Sequence, residues 1–311
     1  MTGPDDLAPG LTRFDALVVG GDGLVGRELA MALRASGHAV RATSRRSGAD
    51  ALPLDLADPD LPALGRARFA CAFICAGITG MQACERAPET ARLVNVENTL
   101  KVMRALAQAG THLVFLSSGQ VFDGEIPRPE ETTPRRPKNV YGRHKSEVEE
   151  AIAREALPAA FLRVTKILAK TPVGMFRTWY EALQAGQPAV AAANMTIAPV
   201  AVEDVAQAAM RLGLERRTGA WHLSSADELT YADAALRMAQ ACGLPCALVR
   251  GEDVTEAQVP AIYRHRYAAL NSGKLAAALG FPIRPAATVL AEMFCAFPRQ
   301  DSAPTGDLSQ S

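Results

Sequence analysis

Short apolar runs alternate, over the first half of the chain, with longer segments in which apolar residues recur every three or four positions. After residue 24, apolar side chains at positions 25, 29, 32 and 33 mark one face of a helix, and Gly37 follows as a stop signal. The short apolar runs, in contrast, are typical of buried strands. The pattern predicts strands over 16–19, 38–43, 69–75, 112–116 and 160–164, with further helices over 88–108 and 141–155.

Strands and helices that alternate without hairpin signals are typical of βαβ units, in which helices cover both faces of a parallel sheet. We therefore predict an α/β fold, a Rossmann-type doubly wound parallel sheet. After about residue 170 the alternation loosens, and one short strand at 221–223 stands among predicted helices at 176–183, 202–214, 231–241 and 272–279. This part is expected to form a smaller C-terminal domain.

Composition narrows the class of protein. The 311 residues are 49% hydrophobic and 21% charged, which is ordinary for a folded globular chain. Basic and acidic residues number 33 each, so no net positive charge attracts nucleic acid or anionic lipid. No apolar run approaches the length of a membrane span, and the N-terminus lacks a signal-peptide pattern. We expect a cytoplasmic protein without a nucleic-acid or membrane partner.

The cysteines show no pattern of a metal site or a redox pair. None belongs to a tight C-x-x-C pair, and the five histidines are scattered. Such cysteines usually act as small buried hydrophobes in a reducing compartment, so we expect no metal. The six are Cys71, Cys75, Cys84, Cys242, Cys246 and Cys295.

A glycine-rich turn follows the first predicted strand and opens the first predicted helix. Gly20 permits a tight turn, Gly23 lets a pyrophosphate approach the backbone, and Gly26 lets helix and strand pack closely. The helix N-terminus, with Leu24 and Val25, then offers free N–H groups to an anion. This context predicts dinucleotide binding; the simpler alternative is a glycine-rich turn without a ligand.

A serine, a tyrosine and a lysine follow the glycine-rich turn along the chain, in that order. Tyr141 and Lys145 form a Y-x-x-x-K motif on one face of a predicted helix, and Ser117 and Ser118 end the strand before it. This order and the G-x-x-G-x-x-G spacing resemble the extended short-chain dehydrogenase/reductase superfamily. The resemblance implies a catalytic set of Ser118, Tyr141 and Lys145.

The chemistry of that set is the reduction of a carbonyl. Tyr141 would donate a proton to the carbonyl oxygen as hydride reaches the carbon, while Ser118 holds the same oxygen. We expect the Lys145 cation to lower the pKa of Tyr141 from its ordinary value near 10.

Longer segments resemble dTDP-4-dehydrorhamnose reductase and its relatives. The sequences LSSGQVFDG at 116–124 and PKNVYG at 137–142 carry this resemblance, and weaker matches extend it over roughly 14–297. It implies an NAD(P)H-dependent reductase of a keto group on a nucleotide sugar, with a Ser-Tyr-Lys triad. We expect a dinucleotide-binding domain over 14–168, to which 196–222 returns, and a substrate domain made of 169–195 and 223–297. Residues 1–13 would form a tail, and 298–311 a disordered one.

The resemblance also implies roles for residues outside the motifs. On the cofactor side, Asp55 and Leu56 would contact the adenine, and Cys75, Ala76 and Gly77 would line the cofactor at a strand end. The further implied cofactor contacts are Asn95, for which a surface asparagine is the simpler alternative, Ser117, Tyr141 and Lys145. On the substrate side, the implied contacts are Ser118, Gln120, Val121, Phe122, Tyr141 and Lys166.

The end of the second predicted strand bears on the choice of cofactor. An NAD enzyme places a carboxylate there to hold the ribose 2′-OH. This chain instead has Ser44, Arg45 and Arg46, and two guanidiniums can bind a 2′-phosphate. We favour NADP(H), with NAD(H) as the other option, because a solvated basic turn would tolerate either.

Three departures from the family bear on the substrate. The family has Asp-Tyr at Gly119-Gln120, Trp at Lys166 and Asp-Gln at Asn194-Met195. An ammonium at Lys166 would favour an anionic substrate group, although a surface lysine that covers apolar area is the simpler alternative.

Other functions stay open on the same scaffold. They are a nucleotide-sugar epimerase or dehydratase, a reductase of another small carbonyl metabolite, and a non-catalytic NADP-binding regulatory subunit. Gly119-Gln120 cannot supply the acid–base pair of a dehydratase, and Arg45-Arg46 argues against the bound NAD of an epimerase. The sequence leaves the sugar, the base and a homodimer open.

Overall fold

The computed structural model describes residues 12–46, 51–171 and 174–297. The strands are β1 (Thr12–Val19), β2 (Val40–Ser44), β3 (Ala51–Pro53), β4 (Ala67–Ile74), β5 (His112–Ser118), β6 (Ala159–Val164), β7 (Lys166–Leu168), β8 (Ala189–Ala192), β9 (Thr196–Ile197), β10 (Pro199–Ala201), β11 (Gly219–Leu223), β12 (Leu229–Thr230) and β13 (Val249–Glu252). The helices are α1 (Leu24–Ala35), α2 (Leu61–Leu64), α3 (Met81–Arg86), α4 (Pro88–Arg92), α5 (Thr99–Gln108), α6 (Val140–Arg154), α7 (Met175–Gln184), α8 (Val202–Leu214), α9 (Tyr231–Cys242), α10 (Gly273–Leu279) and α11 (Ala286–Cys295).

Seven strands form a central sheet in the order β11-β6-β5-β4-β1-β2-β3, and every pairing in it is parallel. The chain runs outward from β1 in one direction through β2 and β3, and in the other through β4, β5 and β6. The order therefore reverses between β1 and β4, which is the place where such sheets bind ligands. The predicted doubly wound α/β sheet is confirmed.

Both faces of the sheet are apolar because alternate side chains of each strand point to opposite sides. In β1, Ala16 and Val18 pack into one core with helices α1 and α8, whereas Leu17 and Val19 pack into the other with α5 and α6. This two-sided burial explains why the strands read as continuous apolar runs.

A third apolar core lies apart from the central sheet. Its members come from α7, α9 and α11 and from the strands between them, for example Trp179, Met238 and Phe294. Three two-stranded sheets, β7–β10, β8–β13 and β9–β12, accompany this core. Most of the predicted substrate domain contributes here, but Leu275 and Leu279 of α10 pack into the core of the central sheet instead. The exact domain division stays a prediction.

Some element boundaries differ from the sequence prediction. Strand β1 starts at Thr12, inside the predicted tail, while residues 1–11 and 298–311 lie outside the described part of the chain. The helix expected over 88–108 contains a π-helical stretch, Leu93–Asn98, between α4 and α5. Among the described residues, no helix combines the length and apolarity needed to cross a membrane.

Candidate active site

A cleft of about 1680 Å³ opens at the carboxyl ends of the central strands. The turn after β1 and the ends of β2, β4 and β5 line one half of it, which we call the cofactor half. The other half, called the substrate half, lies against the third core and is lined mainly by segments between residues 165 and 270. The volume exceeds the roughly 300–1,000 Å³ of a typical single-ligand pocket, so two ligands have room side by side.

The glycine turn has the shape that the sequence predicts. Gly20 has a φ of +90°, a left-handed conformation that glycine adopts without strain. A Cβ on Gly26 would lie 2.1 Å from the carbonyl oxygen of Gly20, so only glycine permits this close packing of turn and helix. Gly23 is the N-cap of α1 and has no side chain to satisfy the first N–H groups, and Leu24 and Val25 of this first turn line the cleft. These features fit a bound pyrophosphate.

A carboxylate lies next to the basic turn at the end of β2. The Ser44 hydroxyl donates a 2.6 Å hydrogen bond to Asp22, a residue of the glycine turn, and accepts one from the N–H of Arg46. Arg45 lines the cleft, whereas Arg46 is exposed and does not. The prediction that no carboxylate stands here is wrong, because Asp22 comes from the turn and not from β2.

The catalytic candidates converge where β5 ends and α6 begins. Ser118 is the last residue of β5, and its hydroxyl accepts a hydrogen bond from the N–H of Gln120 at 3.2 Å. Asn139 caps α6 by accepting from the N–H of Gly142, and so starts the helix just before Tyr141. A Cβ on Gly142 would lie 2.1 Å from the Gln120 carbonyl oxygen, which shows how closely α6 packs against the turn after Ser118.

Lys145 lies one helical turn after Tyr141 and is buried. Its ammonium donates a 2.7 Å hydrogen bond to the carbonyl oxygen of Leu116 and lies 5.6 Å from the centre of the Tyr141 ring. Burial lowers the pKa of Lys145 to about 8, so the side chain is still mostly protonated at neutral pH.

The expected lowering of the Tyr141 pKa is not what the structure shows. Burial raises the pKa of Tyr141 above its ordinary value, and the hydrogen bond with Ser118 only partly opposes this. The physical reason is that Lys145 faces the tyrosine ring and a backbone carbonyl, while partial burial of Tyr141 disfavours the charged phenolate. In this structure Tyr141 is therefore a protonated donor and not a tyrosinate.

Most predicted site residues line the same cleft. On the cofactor side these are Gly20, Gly23, Leu24, Val25, Gly26, Ser44, Arg45, Asp55, Leu56, Cys75, Ala76, Gly77 and Ser117, and the central and substrate positions are Ser118, Gln120, Phe122, Tyr141, Lys145 and Lys166. Their individual roles stay predictions.

Three predicted contacts are not at the cleft surface. Arg46 is exposed and does not line the cleft. Val121 is fully buried and packs against Phe122 and Leu270. Asn95 is also buried, where its side-chain amide donates to the carbonyl and accepts from the N–H of Ile78. Asn95 thus holds the loop after β4 and does not itself reach the cleft.

The substrate half is apolar and aromatic with a single charged side chain. Among the described residues that line the cleft, formal charges occur at Asp22, Arg45, Asp55, Lys145 and Lys166. The first three lie at the cofactor half and Lys145 lies at the centre, so Lys166 alone serves the substrate half. No hydrogen bond or ion pair joins Lys166 to another described residue, and partial removal from water lowers its pKa.

Several lining residues were missed by sequence reasoning. Asp22 was hidden inside the glycine motif, where its side chain carries no spacing signal. Among the others are Met175, Trp179, Tyr231, Tyr263 and Tyr267, which come from distant segments and belong to no motif. Within the described ranges, no cluster of three or more His, Cys, Asp or Glu side chains has the arrangement of a metal site.

Known proteins of two kinds resemble this chain in sequence. A dTDP-4-dehydrorhamnose reductase of Mycobacterium tuberculosis is 28% identical over 275 residues, which cover 84% of this chain and 89% of that protein. A methionine adenosyltransferase 2 subunit beta of Pongo abelii is 28% identical over 213 residues, which cover 65% of this chain. That alignment spans 62% of the subunit, less than two thirds of its length.

Solved structures share the fold. A dTDP-4-dehydrorhamnose reductase of Bacillus anthracis in complex with NADP superposes with a TM-score of 0.80 at 19% identity, and covers 92% of this chain and all of that one. The family model of the RmlD substrate binding domain matches residues 14–298. Because this match takes in nearly the whole chain, the protein belongs to the family of the RmlD substrate binding domain.

Proposed function

We propose that the protein is an NADP(H)-preferring oxidoreductase that reduces a keto group on a nucleotide sugar. The observation that supports it most is the meeting of Ser118, Tyr141 and Lys145 with the glycine turn in one cleft at the carboxyl edge of the sheet. A binding site without chemistry would not need a partly buried phenol, a hydroxyl and an ammonium at one point.

Each residue of the triad has a role that its surroundings support. Tyr141 keeps its proton and donates it to the carbonyl oxygen of the substrate. Ser118 hydrogen bonds the same oxygen. Lys145 holds a positive charge beside the ring, which favours the phenolate left after the proton has moved.

The cofactor half fits a dinucleotide. The turn at Gly20 and Gly26 and the N-terminus of α1 would hold the pyrophosphate, and Arg45 would bind a 2′-phosphate. Asp22 opposes that phosphate, so NAD(H) is retained as the second option. The bound nicotinamide would supply the hydride.

A nucleotide sugar is the substrate class that the relatives support. One is named dTDP-4-dehydrorhamnose reductase, and a second, from Streptomyces antibioticus, is named a probable 4-ketoreductase of a dTDP-linked substrate. The dehydratase alternative loses support, because no Asp or Glu among the described lining residues reaches the substrate half to serve as an acid–base pair.

The proposal is tested by measuring NADPH oxidation with a panel of keto sugars, free and nucleotide-linked. We expect turnover with one nucleotide-linked member, formation of the alcohol, and loss of turnover in Tyr141→Phe. Wild-type protein that binds NADPH but reduces no carbonyl compound in the panel would contradict the proposal.

A non-catalytic regulatory subunit is the second candidate, because several relatives are named as subunits of a methionine adenosyltransferase. On this view the protein binds NADP(H), has no turnover and co-elutes with a methionine adenosyltransferase in gel filtration. Co-elution that survives Tyr141→Phe, without any carbonyl reduction by the wild type, would favour this candidate over the reductase.

A further inference from the structure

A buried acidic side chain lies directly behind the candidate active site. Glu149, on α6, is fully buried and accepts a 2.5 Å hydrogen bond from the Ser117 hydroxyl. Arg163 of β6, itself 3% exposed, donates to both Glu149 oxygens, with its shortest contact at 2.7 Å. Arg135 adds a further contact at 3.2 Å. A carboxylate with donors on every side is firmly fixed.

The position of Glu149 relates it to both parts of the triad. Tyr141, Lys145 and Glu149 follow one another at intervals of four residues, so they form one stripe of α6. The hydroxyl that Glu149 holds belongs to Ser117, the neighbour of Ser118 at the end of β5. Glu149 thus joins the helix that carries two catalytic candidates to the strand that carries the third.

The network extends across the sheet in register. Ser117 pairs with Arg163, and Arg163 pairs with His222 of β11. Arg163 donates to the Nε2 atom of His222 at 3.1 Å, and its guanidinium also lies 5.1 Å from the centre of the Phe122 ring. Because Nε2 accepts a hydrogen bond, His222 is neutral, and burial lowers its pKa to about 3. Glu149 is therefore held by a rigid cross-strand ladder.

Stability alone does not explain such a network. Well-packed apolar residues of similar volume often stabilise a protein as much as a buried ion pair does, so an ion pair kept in the interior needs another reason. We propose that Glu149 is a positioning residue of the site, which fixes Ser118 relative to Tyr141 and gives the Lys145 ammonium its negative neighbour. This inference rests on the catalytic role of Lys145 in the proposed function.

Among the ionisable groups that act on the Lys145 charge, Glu149 is the source of negative charge. These groups are Cys75, which follows β4, Cys84 on α3 and Glu149, and the Tyr141 ring centre lies 5.6 Å from the ammonium. Burial raises the pKa of the Cys75 thiol to about 12 and also raises those of Cys84 and Tyr141, so these three are neutral near pH 8. Removal of the Glu149 charge must then lower the pKa of Lys145, because a cation loses its stabilising partner.

The test replaces Glu149 with glutamine and follows two readouts. We expect kcat to fall with little change in the Kd for NADPH, and the alkaline limb of the kcat profile to move to lower pH by about half a unit or more. The matched control is Glu147→Gln, which removes one carboxylate from a partly exposed position of α6 that pairs with Arg92 and not with the partners of Glu149, and it should leave both readouts unchanged. Unchanged kcat and an unchanged alkaline limb in Glu149→Gln would overturn the inference.

Two additions keep the test decisive. If Glu149→Gln folds poorly because Arg163 loses its partner, the double variant Glu149→Gln/Arg163→Gln removes both charges and should still show the lowered alkaline limb.

A titration of the Lys145 side chain by ¹³C NMR needs no turnover, and its signal is assigned by its loss in Lys145→Arg. Absence of wild-type turnover would refute the proposed function, whereas a Lys145 titration that is identical with and without the Glu149 charge would refute this inference.

Discussion

The two halves of the cleft are built in different ways. The cofactor half consists of short segments at the ends of neighbouring parallel strands, and each segment follows its strand directly in sequence. The substrate half draws residues from segments that are far apart in sequence: α7, β8, α9 and the long connection before α10. Because the sheet fixes the first half and a separate small core supports the second, the chemistry and the choice of substrate can vary independently.

Charge separates the halves as well. The cofactor half and the centre of the cleft hold most of its charged groups, and two of these, Lys145 and Asp22, are hydrogen bonded to the sheet. The substrate half offers apolar and aromatic surface with Lys166 as its one charged group among the described lining residues. The four predictions below separate the contributions of the two halves, in order of decreasing expected effect.

The largest effect is expected from Tyr141→Phe, at the border between the halves. Phenylalanine keeps the ring beside Lys145 and removes only the hydroxyl, so proton donation is lost while the cofactor half stays intact. Turnover should fall by about 10²–10⁴-fold, and the Kd for NADPH should change no more than severalfold. Steady-state kinetics and fluorescence titration measure the two quantities. Full activity in the variant would remove the catalytic assignment.

Next comes Lys166→Trp, which changes the substrate half alone. If Lys166 binds an anionic group of the substrate, its loss should weaken substrate binding by about 1.5–3 kcal/mol, the scale of a hydrogen bond to a charged group. The lysine has no competing partner among the described residues, which makes it free to bind. Lys170→Gln is the control, because Lys170 is exposed and paired with Glu203.

The same residue tests the departure from the family. If Lys166 selects the substrate, dTDP-4-keto-rhamnose should be a poor substrate of the wild type. Efficient reduction of that compound, together with an unchanged KM in Lys166→Trp, would mean that Lys166 only covers apolar surface.

The sequence predicted the cofactor half well because its signals are local. The sequence alone shows a glycine at each tight contact, a strand that ends at Ser118 and a four-residue spacing from Tyr141 to Lys145. The helix predicted over 202–214 has the bounds that the structure shows, since its apolar face repeats without interruption. The family resemblance over most of the chain was confirmed by the family model, which matches residues 14–298.

What the sequence did not predict depends on contacts across the fold. Asp22 reaches the end of β2 only because the turn folds back over that strand. The pKa of Tyr141 follows its burial and not its spacing from Lys145. Asn95 is buried within a π-helical stretch, which no pattern in the sequence predicted. In the substrate half the sequence indicated Lys166 but not the aromatic residues, because those residues have no common spacing.

A smaller effect is expected from Gly26→Ala, which tests whether the cofactor half depends on close packing. The added Cβ would meet the Gly20 carbonyl oxygen at 2.1 Å, so the turn must shift. We expect a loss of about 1–3 kcal/mol in the free energy of unfolding and weaker NADPH binding. In the control, Gly65→Ala, the nearest contact is an ordinary 3.4 Å. Equal stability and NADPH affinity in both variants would show that the close contact is not required.

The smallest effect concerns the choice between the two cofactors. Arg45 and Asp22 influence this choice in opposite directions. Arg45 favours a 2′-phosphate, whereas the Asp22 carboxylate, held 2.6 Å from the Ser44 hydroxyl, repels it. We expect NADPH to bind about tenfold or more tightly than NADH, a difference of about 1.4 kcal/mol. Arg45→Glu should reverse this preference, and Asp22→Asn should strengthen NADPH binding severalfold while NADH binding stays the same. Because the contact is electrostatic and exposed, the preference should also decrease as salt is added. Titration of each variant with both cofactors decides between the two residues: equal dissociation constants in the wild type, unaltered by Arg45→Glu, would show that the basic turn does not select the cofactor.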